Sequence, residues 1–235
     1  MAIEIEPIKI LKSFFGFNTF KGKQEVCIDA ILKGKDIFIV MPTGGGKSLC
    51  YQLPSLILEG TSIIISPLIA LMKNQVDSIR SNSQDKSIAH FFNSSLSENE
   101  KIEVINDIKD KKTKILYVAP ETICNPKNLE LFKKINISFF AVDEAHCISE
   151  WGHDFRPEYK KIRSVINNLT RRPIMALTAT ATNKVQEDIK RNLGIAEADF
   201  FISSFNRENL YYEIKKKEEE NPEKGIIQYI KKNEK

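Results

Sequence analysis

Ile37-Phe38-Ile39-Val40-Met41-Pro42-Thr43-Gly44-Gly45-Gly46-Lys47-Ser48 decides how this chain folds. The apolar, largely β-branched run reads as a buried strand. Thr43, Gly44, Gly45 and Gly46 form a turn whose glycines can take positive φ, so successive amides converge on phosphate oxygens at a helix N-terminus. Lys47 is suited to neutralise β and γ phosphates, and Ser48 offers a hydroxyl to magnesium. The generic pattern has glycine where this chain has Met41.

A second decisive run lies downstream. Ile137-Ser138-Phe139-Phe140-Ala141-Val142 is another buried strand, and it delivers Asp143 and Glu144 to the edge of a sheet. Acids at a strand end call for a cation. Asp143 is placed to bind magnesium directly or through water, and Glu144 to orient and deprotonate an attacking water. Together the two runs describe a nucleoside triphosphatase. Ser149–Tyr159 follows the acids as a loop in which Trp151 and Phe155 offer π faces to unstacked bases, while His153 and Arg156 add cationic or hydrogen-bonding contacts. The alternative reading makes Trp151 and Phe155 core anchors beside the turn at Gly152.

Further short apolar runs at 63–66, 115–119, 174–177 and 200–203 alternate with polar, helix-like segments. That alternation predicts an α/β fold, a mainly parallel sheet with helices on both faces. Ser97–Lys112 reads as an intervening helix with Ser97 at the N-cap and Glu100 at the capping-box position. Ser87–Asn93 reads either as a further strand or as loop. Beyond Phe205 the pattern gives way to the charge run Lys215–Pro222 and a short amphipathic segment, Gly225–Lys232, that cannot bury its own apolar face.

The 235 residues are 42% apolar, enough for one substantial core. A formal charge of +4 permits a polyanionic partner without requiring one. Cys27, Cys50, Cys124 and Cys147 form no C-x-x-C pair, which disfavours a disulfide framework or a four-cysteine zinc site, and His146, His153 and Cys147 match no common zinc spacing. No apolar run reaches membrane-spanning length, and Met1–Glu6 lacks signal-peptide character. The expectation is a soluble, intracellular protein without a membrane partner.

These motifs resemble the first RecA-like motor domain of RecQ-family DNA helicases, from about Leu11 to Leu210. Leu11–Gln24 is similar to the element that precedes the phosphate loop there and recognises adenine. By that similarity Phe17 stacks on the base, Gln24 bonds its exocyclic amine and ring nitrogen, and Lys21 stands where the family usually has Arg. Read without the family, Phe14, Phe15, Phe17 and Phe20 form an apolar helix face. Ser149–Tyr159 resembles the family's aromatic-rich loop, which senses single-stranded DNA and signals to the magnesium site. Thr178 and Thr180 fall in Leu177–Thr182, which is similar to the motif that links hydrolysis to domain movement and is also an N-cap cluster for a helix near Asn183. Ser66–Gln75 and Tyr117–Glu121 resemble strand-end motifs that grip the DNA backbone, and Phe205–Leu210 the entry to the second motor domain.

The resemblance implies a P-loop, RecA-like domain over 1–208, with its adenine-recognition element in 1–34, and a linker and start of a second RecA-like domain over 209–235. It further implies ATP and Mg2+ as cofactors, single-stranded or tailed duplex DNA as partner, 3′ to 5′ translocation, and work in the bacterial cytoplasm or nucleoid, or in a nucleus. The second RecA-like domain and its arginine finger are not in these residues, so the chain reads as part of a longer enzyme. Asp143-Glu144-Ala145-His146 and the aromatic loop argue against an RNA helicase of the DEAD-box kind. Lys47, Asp143 and Glu144 argue against a module that binds ATP without hydrolysing it.

Overall fold

The computed structural model describes residues 6–204, 210, 214 and 222–233. Its larger unit, Met1–Ser204, is built on seven parallel strands: β1 (Ile37–Val40), β2 (Thr61–Ile65), β3 (Ala89–Phe92), β4 (Ile115–Val118), β5 (Ile137–Val142), β6 (Ile174–Thr178) and β7 (Asp199–Ile202). They lie in the order β3-β4-β2-β5-β6-β1-β7. Nine helices of this unit connect or precede them: α1 (Pro7–Phe15), α2 (Gln24–Leu32), α3 (Lys47–Ile57), α4 (Ile69–Ser81), α5 (Glu98–Lys109), α6 (Pro120–Ile123), α7 (Pro126–Phe132), α8 (Pro157–Asn168) and α9 (Asn183–Leu193).

Strand side chains alternate between faces, and in the five inner strands both faces are buried, which is why those strands read as largely apolar runs. Phe38, Val40, Ile63, Ile65, Phe140 and Val142 pack against α5, α7, α8 and α9. Ile37, Ile39, Ile64, Ala141 and Leu177 face α2, α3 and α4 on the other side. A smaller cluster of Leu11, Ile28, Leu49 and Leu53 ties α1 to α2 and α3. Phe14, Phe15 and Phe20 join the apolar packing, whereas Phe17 is half-exposed. The aromatic helix face of the sequence therefore splits, and Phe17 is not part of it.

Ser87–Asn93 resolves into a 3₁₀ turn at Lys86–Ile88 followed by edge strand β3, which pairs with β4. The helix expected over Ser97–Lys112 ends at Lys109, because Asp110 caps it and Lys111 turns to φ 59°. Its N-terminus is a complete capping box, with Ser97 accepting from the Glu100 amide and the Glu100 carboxylate accepting from the Ser97 amide. Ser97→Ala should destabilise the domain by about 0.5–2 kcal/mol. The measurement is the urea midpoint, which should fall with an unchanged m-value; an unmoved midpoint would show that the box is idle.

The second unit is Phe205–Lys235, of which α10 (Pro222–Asn233) is described. Ile226, Ile227, Tyr229 and Ile230 on it are exposed. Phe205–Asn209 and the charge run 215–221 lie outside the described residues.

Candidate active site

Parallel strands bring all their C-terminal ends to one edge, and β6 lies between β1 and β5. The phosphate loop, Thr178 and the acid pair are therefore side by side. At Gly45 and Gly46 the loop is shaped by contacts that leave no room for a side chain. A Cβ on Gly45 would lie 2.6 Å from Met41 Cγ, and one on Gly46 2.3 Å from Gln24 Nε2. Gly44 and Gly46 both take φ 79°. Met41, outside the generic pattern, is thus the wall that Gly45 packs on. Gln24 is buried, donates from Nε2 to Gly46 O (3.2 Å) and accepts from the Lys21 amide (2.8 Å). It braces the loop directly, and its amide retains one further proton and acceptor lone pair. Lys47 Nζ donates to Met41 O at 2.9 Å, folded over the loop at the start of α3, with Ser48 beside it.

Asp143 N donates to Ile65 O (2.9 Å), which extends β5 by one residue and sinks the carboxyl into the edge. Burial first, and then repulsion from Glu144, raise this carboxyl from 3.8 to about 6. Glu144 is held below the usual carboxylate range, chiefly by its hydrogen bond with His146. Two adjacent acids are thereby driven apart in basicity, a pattern that separates chemical roles. Lys47 lies close enough to lower both. Glu144 takes φ 48° in the left-handed region, a conformation costly for a residue with a Cβ and common at working sites. Among the described residues no group of three or more His, Cys, Asp or Glu could cage a metal. One buried carboxylate with a nearby hydroxyl fits Mg2+ brought in on phosphates, since that ion keeps waters and takes one or two protein oxygens.

His146 is the hub of the site. Its Nδ1 lies 3.3 Å from Glu144 Oε2 and 3.0 Å from Thr178 Oγ1. Thr178 donates its own proton to Thr180 O (3.0 Å), which leaves its oxygen to accept from the imidazole. The His146 ring stacks on His153 with centroids 4.2 Å apart, so the hub continues into the aromatic loop. That loop is pinned at several points. Tyr159 donates to Asp143 O (3.0 Å), Ser149 to Asp188 on α9 (2.7 Å), and Arg156 to Pro67 O (3.0 Å) while pairing with Asp154. Trp151 is 65% exposed, which excludes the core-anchor alternative for it, and Phe155 is half-buried. Thr182 caps α9 through the Val185 amide, so the capping reading of the threonine cluster is realised alongside the Thr178 bond.

The structure gathers Lys47, Asp143, Glu144 and Thr178, attaches Gln24 to the loop, and links His153 through His146. Phe17 stands apart on the segment after α1. His146, Tyr159, Asp188 and Pro67 O were missed as organisers of the site. His146 had a local signal, a histidine two residues beyond Glu144, while the others depend on long-range packing.

The sequence pattern of the DEAD/DEAH box helicase family matches residues 21–189. The chain is 44% identical over 210 residues to the ATP-dependent DNA helicase RecQ of Haemophilus influenzae, covering 89% of this chain and 33% of that protein. It is 40% identical over 226 residues to the RecQ helicase of Bacillus subtilis, covering 95% and 37%. The chain thus spans about a third of the length of these relatives. In fold it is similar to the Pyrococcus furiosus Hef helicase domain, with a TM-score of 0.60 and 22% identity over 78% of this chain and 38% of that one.

Proposed function

This chain belongs to the DEAD/DEAH box helicases, and we propose that it is the ATP-gripping first motor domain of a RecQ-type DNA helicase that tracks 3′ to 5′ on single strands. Residues 1–208 form the RecA-like domain in this reading, and 209–235 lead into a second one. Amides of Thr43–Gly46 and Lys47 hold the triphosphate, and Phe17, Lys21 and Gln24 hold the adenine. Ser48 and Asp143 would hold Mg2+, which when bound neutralises phosphate charge. Glu144, kept ionised by His146, orients water and takes its proton. Bases of single-stranded DNA stack on Trp151 and Phe155, and the backbone meets the strand ends near Ser66 and Pro120. We place the enzyme with the chromosome, in bacterial cytoplasm or nucleoid or in a nucleus.

The observation that carries the reading is the His146 bridge. It joins the carboxylate of Glu144 to Thr178 and, through the stacked His153, to the loop bearing Trp151. A strand that moves the loop moves the imidazole, and the imidazole sets the position and charge of Glu144. The test is ATP hydrolysis by this chain extended through a second RecA-like domain, with and without single-stranded DNA. DNA should stimulate turnover, and Trp151→Ala should raise the DNA concentration for half-stimulation by about 5- to 150-fold, the loss of one stacked base. Turnover indifferent to DNA would overturn the proposal.

A further inference from the structure

Both aromatic faces of the loop are met by lysines from neighbouring helices, but in unlike ways. Lys160 of α8 stands 5.1 Å from the Phe155 ring centre and is paired with Glu150. Lys184 of α9 stands 3.1 Å from the Trp151 ring centre and makes no ion pair among the described residues. Its side chain is exposed, and the ring beneath it is the one the loop presents most openly. Lys184 is also the second residue of α9, whose first turn contains no acid. A cation there sits against the positive end of the helix dipole, an arrangement that an anion would relieve. The ring beneath it supplies an attraction. Cation–π contact at an exposed site is weaker than stacking of a nucleobase on the same face, so an arriving base displaces the ammonium. The backbone of α9 cannot follow the base outward, because Ser149 holds Asp188 at 2.7 Å and Val185 and Ile189 are buried in the core. The freed ammonium stays beside the stacked nucleotide, together with the amides of the helix N-terminus.

We propose that Lys184 is a further single-strand contact: it caps Trp151 until a base stacks there, and then pairs with a phosphate of that nucleotide. The proposal rests on the stacking role given to Trp151 above. It assigns one residue two successive partners, an indole face and a phosphodiester.

Trp151 is the single tryptophan of the chain, so its fluorescence reads the cap without labelling. The experiment uses the 235-residue chain as wild type, Lys184→Ala and Lys184→Arg. Without DNA, removal of the cap in Lys184→Ala should increase quenching of Trp151 by acrylamide, while Lys184→Arg should stay near wild type. With oligothymidylate titrated at several salt concentrations, Lys184→Ala should make the slope of log K against log salt shallower by about 0.7, one phosphate contact to a single strand. Lys184→Arg should restore the slope. A wild-type slope in Lys184→Ala overturns the phosphate contact, and unchanged acrylamide quenching overturns the cap. Wild-type emission that does not respond to saturating oligothymidylate sinks the stacking reading itself, and is distinguishable because it involves no variant.

Discussion

Glu144→Gln should retain ATP and lose its hydrolysis by about 10²–10⁴-fold, the usual contribution of a positioned general base. The amide keeps the shape of the side chain and can still bond His146, so the left-handed turn at 144 and the 3₁₀ segment Ala145–Ile148 should persist. What disappears is the negative charge that His146 favours over the protonated acid. The measurement is single-turnover hydrolysis beside equilibrium nucleotide binding, in the chain extended through a second RecA-like domain. If nucleotide binding falls together with turnover, Glu144 is a structural residue and the water-activating role is wrong.

Asp143→Asn should stop turnover and, against the usual trend of substitutions in a core, make the domain more stable at neutral pH. The carboxyl titrates near 6 when folded and near 3.8 when unfolded. The folded state therefore holds the proton more tightly; the stabilisation from this group is complete below 3.8 and is lost as pH rises through about 6. At pH 7.5 the ionised group costs up to about 3 kcal/mol. Asparagine keeps the oxygen that accepts the Glu144 amide at 3.0 Å and removes the charge. A rise in Tm of several degrees is expected, at about 2–4 °C per kcal/mol for a domain of this size. In the unaltered enzyme, turnover should fall as pH drops through about 6, where Asp143 takes up its proton. A Tm for Asp143→Asn below wild type at pH 7.5 would show that the carboxylate is satisfied by partners other than a cation.

The parallel sheet was legible because burial on both faces leaves strands as continuous apolar runs, and because Gly44–Lys47 and Asp143–Glu144 follow two of them. Strand β3 was harder. At the sheet edge, Ala89–Phe92 contains His90, which bonds Arg80 and Asp107, so its apolar run is interrupted by a polar group whose partners lie on the helices before and after the strand. Phe17 was legible as the odd member of the phenylalanine group only through family resemblance, since periodicity cannot tell which ring leaves the helix. The bridge through His146 was illegible in spacing. It depends on β5 and β6 lying side by side, which brings Thr178 within 3.0 Å of a residue 32 positions earlier. The same holds for Arg156 reaching Pro67, 89 positions earlier in the chain.

Because all seven strands run the same way, the molecule has a working rim and an opposite rim with another use. Lys35, Lys111 and Asn136 precede β1, β4 and β5 at that far side, and none of the phosphate-loop, acid or aromatic-loop residues lies there. A dye or surface tether attached by a cysteine at Lys111, whose turn lies just past the end of α5, would leave the reactive edge open to nucleotide and DNA. Gly60 on the same side should be avoided, since a Cβ there would meet Asn136 O at 2.3 Å. The sheet would then serve as a rigid handle, so that single-molecule optics report motion at the working rim instead of the bending of its anchor.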